Sequence, residues 1–451
     1  MRLFIVFIVL MFSNSALAKE DFNTWLNALK QEALGAGISE KTTTDIVNHI
    51  EFLPNIIRLD LTQPEFISPF LEYYQKRVDA RKIARGRELL IEHALFLNQI
   101  EVQYGVPKSI LIAFWGMETN YGNYQGNIDT LSALATLAYE GRRAGFFRNQ
   151  LLDAMHIVDA GYADIEQLHG SWAGAFGNMQ FMPSTFMMFA VDGDGDDRID
   201  IVNSTDDAFA SAANYLSQVG WRKGEPVMIE VQLPANFEWE NAQYTLRKPI
   251  SEWVQLGVTA VRGRADVTDN SLDKTRTSIK KSKVKKTGAK KTKRSSVQVT
   301  YNMIKTTTPL TTTPIRLPDM NAQAAIILPQ GWRGPAFMVF DNFDAVMDWN
   351  RSINYALSVA QLAKRINGKP QILGGQFAEV GALSSEQLFD LQAILNAQGF
   401  DAGEPDGFPG KQTQAAIRAY QLSQQLPADG YASPDFYNNL KRTISALKTS
   451  Q

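Results

Sequence analysis

The sequence predicts a mainly α-helical, α+β chain with a small strand-containing part and a separate three-helix module, from three observations. Apolar residues recur at three- and four-residue intervals through roughly the first two hundred positions. From Pro226 the texture changes to short runs rich in β-branched residues. After Gly381 a compact segment alternates amphipathic helix patterns with Asp-Gly turns.

The elements follow in order. Phe22 to Leu34 has amphipathic spacing, with Trp25, Leu26 and Leu29 on one side. The mixed-charge stretch Glu72 to Tyr104 predicts one or two helices ending at Gly105. Pro107 can open a helix, and Ser109 to Met117 is apolar on nearly every face, so that helix should be deeply buried. Leu131 to Tyr139, Phe146 to Asp159 and Phe209 to Val219 read as further helices, and Pro183-Ser184 restarts one. Val227 to Leu233 and Glu252 to Ala260 favour strands, as do Ile326 to Leu328 and Ala336 to Phe340, and a helix runs from about Ser352 to Lys364. Between them, Asp266 to about Thr313 is rich in Thr, Ser and Lys and nearly free of aromatics, so no packed structure is expected there. Strand-like segments flank it on both sides, which marks it as an insertion inside one domain; a boundary between domains is the alternative. Gly374 to Gly381 reads as a linker, and residues 382–447 as a module of three helices.

Composition bounds the setting. Hydrophobic residues at 45% and charged residues at 20% over 451 positions describe a globular protein of two or three domains. Arg2, the apolar run Leu3 to Phe12 and Ala16-Leu17-Ala18 have the form of a secretory signal, residues 1–18, with the domain that follows at 19–372. No other apolar run approaches spanning length. There is no cysteine, hence no disulfide, thiolate metal site or lipid-acylation cysteine. The expected location is the periplasm, without lipid anchor or integral membrane segment after cleavage. Eleven of the 45 Lys and Arg residues fall between Lys274 and Arg294, so the net charge of −2 hides an acidic remainder. A solvated tract is the plain reading of that run, binding to anionic wall groups or an acidic partner the other, and the signal argues against nucleic acid. The four histidines, 49, 93, 156 and 169, have no metal spacing.

Chemistry concentrates in three places. Glu118 ends the apolar run of Pro107 to Gly122; enclosure by Phe114, Trp115 and Met117 would raise its pKa and suit it to general acid work. Taken alone, a helix-end glutamate facing water is the plainer reading. Ser171 to Phe186 combines small residues at 173–175 and 177 with the hydrogen-bonding Ser171 and Gln180 and the flat faces of Trp172, Phe176 and Phe181, a mixture that suits sugar rings. Asp192-Gly-Asp194-Gly-Asp196-Asp197-Arg198 places oxygens at positions 1, 3 and 5 and a carbonyl at 7, as in a calcium loop, but has Asp197 at position 6 and Asn203 at 12.

Trp115-Gly-Met-Glu118-Thr-Asn-Tyr-Gly followed by Ser171-Trp-Ala-Gly-Ala-Phe-Gly-Asn-Met-Gln-Phe-Met-Pro-Ser resembles the lytic murein transglycosylase B family over about residues 20 to 370. The resemblance implies a lysozyme-like helical catalytic domain that cleaves the MurNAc–GlcNAc bond of peptidoglycan. Glu118 would act as acid and then base, leaving 1,6-anhydro-muramic acid ends. It implies substrate contacts at Ser171, Gln180, Phe181, Arg142 and Arg143, and, through Trp349-Asn350-Arg-Ser-Ile-Asn-Tyr355-Ala, at Asn350 and Tyr355. Trp349 stands where the resembled motif has tyrosine, so stacking is kept there and the hydroxyl is lost. In the family's longer variant loop the closing carboxylate falls at position 15, here Asp206. A structural calcium held by Asp192, Asp194, Asp196, Arg198 and Asp206 is thus expected, and no organic cofactor. Asp406-Gly-Phe-Pro-Gly-Lys-Gln-Thr413 resembles the peptidoglycan-binding domain, implying glycan strands as partner, with other cell-wall enzymes as further partners. The rival readings are a hydrolytic muramidase and a catalytically silent wall-binding scaffold.

Overall fold

The computed structural model describes residues 21–62, 68–140, 143–262, 311–375 and 381–449. The signal-like N-terminus, Arg142 and the basic tract lie outside the described residues. The described residues are mostly helical with small antiparallel sheets and divide into two compact units, one of those up to 62 and within 126–188, the other of those within 63–125 and from 189 on.

In the first unit, Asp21 caps the helix Phe22–Gly35 by accepting the N–H groups of Asn23 and Thr24 at 3.1 Å. Ser39 caps Glu40–His49. The helix Thr130–Glu140 is the buried centre, with every residue from Thr130 to Ala138 interior, and it packs along Ala144–Asp159. Ser132 and Thr136 turn their hydroxyls to the backbone N–H of Glu51 and Leu53, so the polar positions of this helix tie down the turn before Pro54–Thr62. Ile128–Asp129 and His169–Gly170 form a two-stranded antiparallel ribbon.

The second unit is built around the helix Lys108–Glu118, whose residues Ser109 to Met117 are all buried. Around it lie Ala80–Glu92, Ala94–Tyr104, Thr205–Gln218 and Ile353–Ile366. Gly86 and Gly116 permit the approach: a Cβ on Gly116 would lie 2.7 Å from the ring of Tyr121, and one on Gly86 2.6 Å from its hydroxyl. That hydroxyl donates to the Lys82 carbonyl at 2.7 Å, fixing the turn that follows Glu118.

Six strands form one antiparallel sheet in the order Lys248–Pro249, Gln323–Ile327, Ala336–Val339, Met228–Gln232, Thr259–Arg262, Thr311–Thr313. Its apolar face closes on Ile250, Trp253, Val258, Ile326, Met338 and Phe340. Arg262 pairs with Thr311 and Ala260 with Thr313, so the described strands on either side of the basic tract are neighbours in one sheet.

Several expectations need correction. Glu72 to Tyr104 belongs to three helices, Phe70–Arg77, Ala80–Glu92 and Ala94–Tyr104, because Asp79 caps a new start and His93 breaks the next. Glu252 to Ala260 is split: its first four residues end the helix Ile250–Gln255, held by the Trp253 indole donating to the Ala324 carbonyl at 2.9 Å, and only Thr259 and Ala260 belong to a strand. Thr311–Thr313, counted with the unpacked tract, is a strand. The third module helix is Pro434–Thr449, after the turn at Asp429-Gly430.

Candidate active site

Glu118 is the last residue of its helix and is half-buried. Its carboxylate is met by side chains from more than two hundred positions later. The Trp349 indole N–H donates to Oε1 at 3.0 Å, and the Tyr355 hydroxyl donates to the same oxygen. Trp349 ends the helix Asp341–Trp349, and Tyr355 lies in the first turn of Ile353–Ile366, capped by the Ser352 hydroxyl. The two residues thus reach Glu118 from either side of one turn that contains Asn350. The Trp349 ring lies against Phe114, centroids 4.4 Å apart, and meets Tyr215 edge-on at 5.1 Å. Tyr355 is 4% exposed, and its phenol is pushed well above its ordinary value by burial first and then by the Glu118 charge, which keeps it a neutral donor. Lys82, its ammonium bonded to the Gly116 carbonyl at 2.5 Å, is held below the usual lysine range by burial.

The stretch expected to meet sugar lies in the first unit. Ser171 forms a turn: its N–H donates to the Ala175 carbonyl at 2.7 Å, and its hydroxyl accepts the Ala175 N–H at 3.1 Å. Gln180 is half-buried in the left-handed region, φ +50, with its amide bonded to the Gly177 carbonyl. Here the aromatic expectation fails. Phe176 and Phe181 are 1% and 2% exposed, so their rings pack the interior and only Trp172 of the three stays half-exposed. Arg143 donates to the buried Asp60 at 2.6 Å and covers the Phe147 ring. Tyr355, expected to face substrate, is interior and spent on Glu118, while Asn350 is half-buried in the turn between the two helices.

The carboxylates of Asp192, Asp194 and Asp196 approach within 4.8 Å of one another. Asp194, Asp196, Arg198 and Asp206 line one concave surface together with His93. Asp197 supplies the left-handed turn that glycine normally makes, at φ +65. Asp207, 1% exposed and unmarked by the motif, ties the loop's two ends by accepting the N–H of Gly193 at 2.7 Å and of Asp200 at 2.6 Å. These three carboxylates offer hard oxygen donors of the kind calcium takes. His93 was given no part by spacing, yet it lines this loop and meets Trp115 of the Glu118 helix edge-on.

The C-terminal module repeats one device. The amide oxygen of Gln392 accepts Asp406 and Gly407 N–H, while its NH₂ reaches Asp406 and Thr413. Gln421 grips Asp429 and Gly430 in the same manner. Each helix thus holds an Asp-Gly turn through a glutamine.

A family model described as a transglycosylase SLT domain matches residues 21–306 and 274–364, and one described as a putative peptidoglycan binding domain matches 384–440. The membrane-bound lytic murein transglycosylase B of Escherichia coli (strain K12) is 32% identical over 203 residues, 43% of this chain and 56% of that protein, so the match spans little more than half of that relative. SltB3 from Pseudomonas aeruginosa, solved with NAG-anhNAM-pentapeptide, superposes at a TM-score of 0.80 and 36% identity, covering 94% of this chain and all of that one. The soluble lytic transglycosylase SltB1 of the same organism gives 0.58 at 25% identity, over 76% and 98% of the two chains. The Escherichia coli lytic transglycosylase Slt35, solved with calcium, gives 0.57 at 23% over 78% and 94%, a likeness of fold.

Proposed function

Since the chain belongs to the transglycosylase SLT domain family, we propose that it is a lytic transglycosylase of peptidoglycan, cleaving the MurNAc–GlcNAc bond with Glu118 as the single acid and base. The observation that carries this reading is the setting of Glu118: a half-buried carboxylate at the end of a buried helix, with two neutral donors on one oxygen.

The steps balance without water. Protonated Glu118 gives its proton to the glycosidic oxygen as the C1–O bond breaks. The C6 hydroxyl of the same muramic acid attacks C1, and its proton passes to the Glu118 carboxylate, restoring the acid. Intramolecular attack avoids the entropy cost of recruiting a second reactant. General acid–base transfer of this kind contributes typically about 10²–10⁴-fold. The donors on Glu118 orient the carboxyl group and favour its charged form between the two transfers.

Ser171, Gln180, Arg143 and Asn350 are the side chains we assign to the glycan and its peptide, with Arg143 carrying the charge that suits a carboxylate. The loop of Asp192, Asp194, Asp196, Arg198 and Asp206 is assigned to calcium, on the chemistry of its donors, in a structural role. Residues 382–447 hold the enzyme on the wall and raise its effective substrate concentration. We place the protein outside the cytoplasm, where its substrate is; no described helix is long and apolar enough to cross a membrane.

Borohydride separates the outcomes. Digestion of purified peptidoglycan should release muropeptides that borohydride leaves unchanged, since an anhydro end has no free aldehyde. Products that take up hydrogen would make the protein a hydrolytic muramidase. No products at all, with wall binding intact, would make it a scaffold.

A further inference from the structure

We propose that Arg351 binds the free carboxylates of the peptides that peptidoglycan carries on its muramic acid, and so makes the chain selective for peptide-bearing glycan. This rests on the transglycosylase reading of the Glu118 site above.

Arg351 lies in the short turn between the helices Asp341–Trp349 and Ile353–Ile366. That turn brings Trp349 and Tyr355 onto the Glu118 carboxylate, so its backbone is anchored on both sides to the reacting group. The turn is tight. The Ser352 N–H donates to the Asn350 carbonyl at 2.7 Å, and the Ser352 hydroxyl accepts the Tyr355 N–H at 3.3 Å. Trp349 and Asn350 are half-buried and Ser352 is buried, whereas Arg351 is exposed.

Stability does not account for a cation at this place. Among the described residues the Arg351 side chain makes no hydrogen bond or ion pair. It directly precedes the cap of a 14-residue helix, the end at which the helix dipole favours anions and disfavours cations. Asp348, on the preceding helix, is exposed and does not pair with it. The charge nevertheless reaches the site. Tyr215 meets the Trp349 ring edge-on at 5.1 Å; burial first and then Asp348 push its phenol up to about 12, and Arg351 pulls against them. A guanidinium can hold a carboxylate through two parallel hydrogen bonds. The two sugars joined by the cleaved bond offer hydroxyls and amides, while the carboxylates of the polymer sit on its peptides.

Arg351→Gln removes the charge without removing a contact of the fold. Amidation of the carboxylates by carbodiimide coupling removes the charge from the substrate and leaves glycan and peptide in place. On native peptidoglycan Arg351→Gln should lower kcat/KM about tenfold, chiefly through KM. The wild-type chain should lose a like factor on amidated peptidoglycan, and Arg351→Gln should lose nothing further there. An unchanged kcat/KM for Arg351→Gln on native peptidoglycan would overturn the proposal. So would losses that multiply, with the variant as far below the wild type on amidated substrate as on native. Glu118→Gln is measured beside them. An active Glu118→Gln defeats the acid–base reading itself, whereas an inactive one beside an unchanged Arg351→Gln defeats only the role of Arg351.

Discussion

The carboxylate of Asp429 accepts the backbone N–H of Trp332 at 2.9 Å, joining the C-terminal module to the loop between the strands Gln323–Ile327 and Ala336–Val339. The same carboxylate accepts the Gln421 amide at 2.8 Å and the Tyr431 N–H at 2.9 Å, so one side chain both closes a turn of the module and docks it. Gly331 is needed beside it, since a Cβ there would lie 2.9 Å from Asp429 Oδ2 at a backbone φ of +70. Arg333 adds an ion pair to Asp435 at 3.6 Å, which solvent weakens.

Asp429→Ala strands three donors and should cost about 2 kcal/mol or more in the module's stability. The sharper readout is hydrogen exchange at the Trp332 amide, which should accelerate while amides in Lys108–Glu118 keep their protection. Unchanged exchange at Trp332 would mean that the docking does not depend on this bond.

Glu230 gives a pH dependence of defined sign. It is 7% exposed, and its Oε1 accepts the N–H groups of Leu373 and Gly374 at 2.9 and 2.5 Å. Burial pushes its carboxyl above the ordinary 4.5, against the pull of those two bonds and of Lys364. The folded chain therefore holds a proton where the unfolded chain has lost it. The resulting stability is present in full below the ordinary value and is lost as pH rises through the raised one. Glu230→Gln should flatten that decline in urea unfolding; parallel slopes in the two proteins would contradict it.

Calcium should stabilise the folded chain through the Asp192 loop. At a free concentration of about a hundredfold over Kd the gain is about 2.7 kcal/mol. Chelation should therefore lower Tm, and Asp194→Ala should erase the response. A chelator effect that survives Asp194→Ala would place the ion elsewhere.

How legible the molecule was depends on the range of the interaction. The buried helix Lys108–Glu118 could be read because its apolar residues fall on every face, a local property. The strands Met228–Gln232 and Ala336–Val339 were visible from equally local composition. Ile250–Gln255 was misread, since six residues with Trp and Val suit either state until Trp253 finds the Ala324 carbonyl. In the candidate site, the sequence singled out Glu118 but not the side chains that meet it. Neighbours in sequence, Phe114, Trp115 and Met117, were expected to enclose it, whereas Trp349 and Tyr355 touch it across 231 and 237 positions. The resemblance pointed to both residues but gave them to the substrate, and the loss of a hydroxyl at 349 concealed that an indole N–H takes a bond to the carboxylate. Asp207 was passed over because a buried carboxylate that ties a loop carries no motif of its own.

The most direct test of the central claim is mass spectrometry of the muropeptides released from purified peptidoglycan by the wild-type chain and by Glu118→Gln. Wild-type products should be lighter than hydrolysed ends by one water and should be lost in the variant, whose amide cannot serve as acid or base. Water-added products from the wild type, or anhydro products from Glu118→Gln at the wild-type rate, would contradict it.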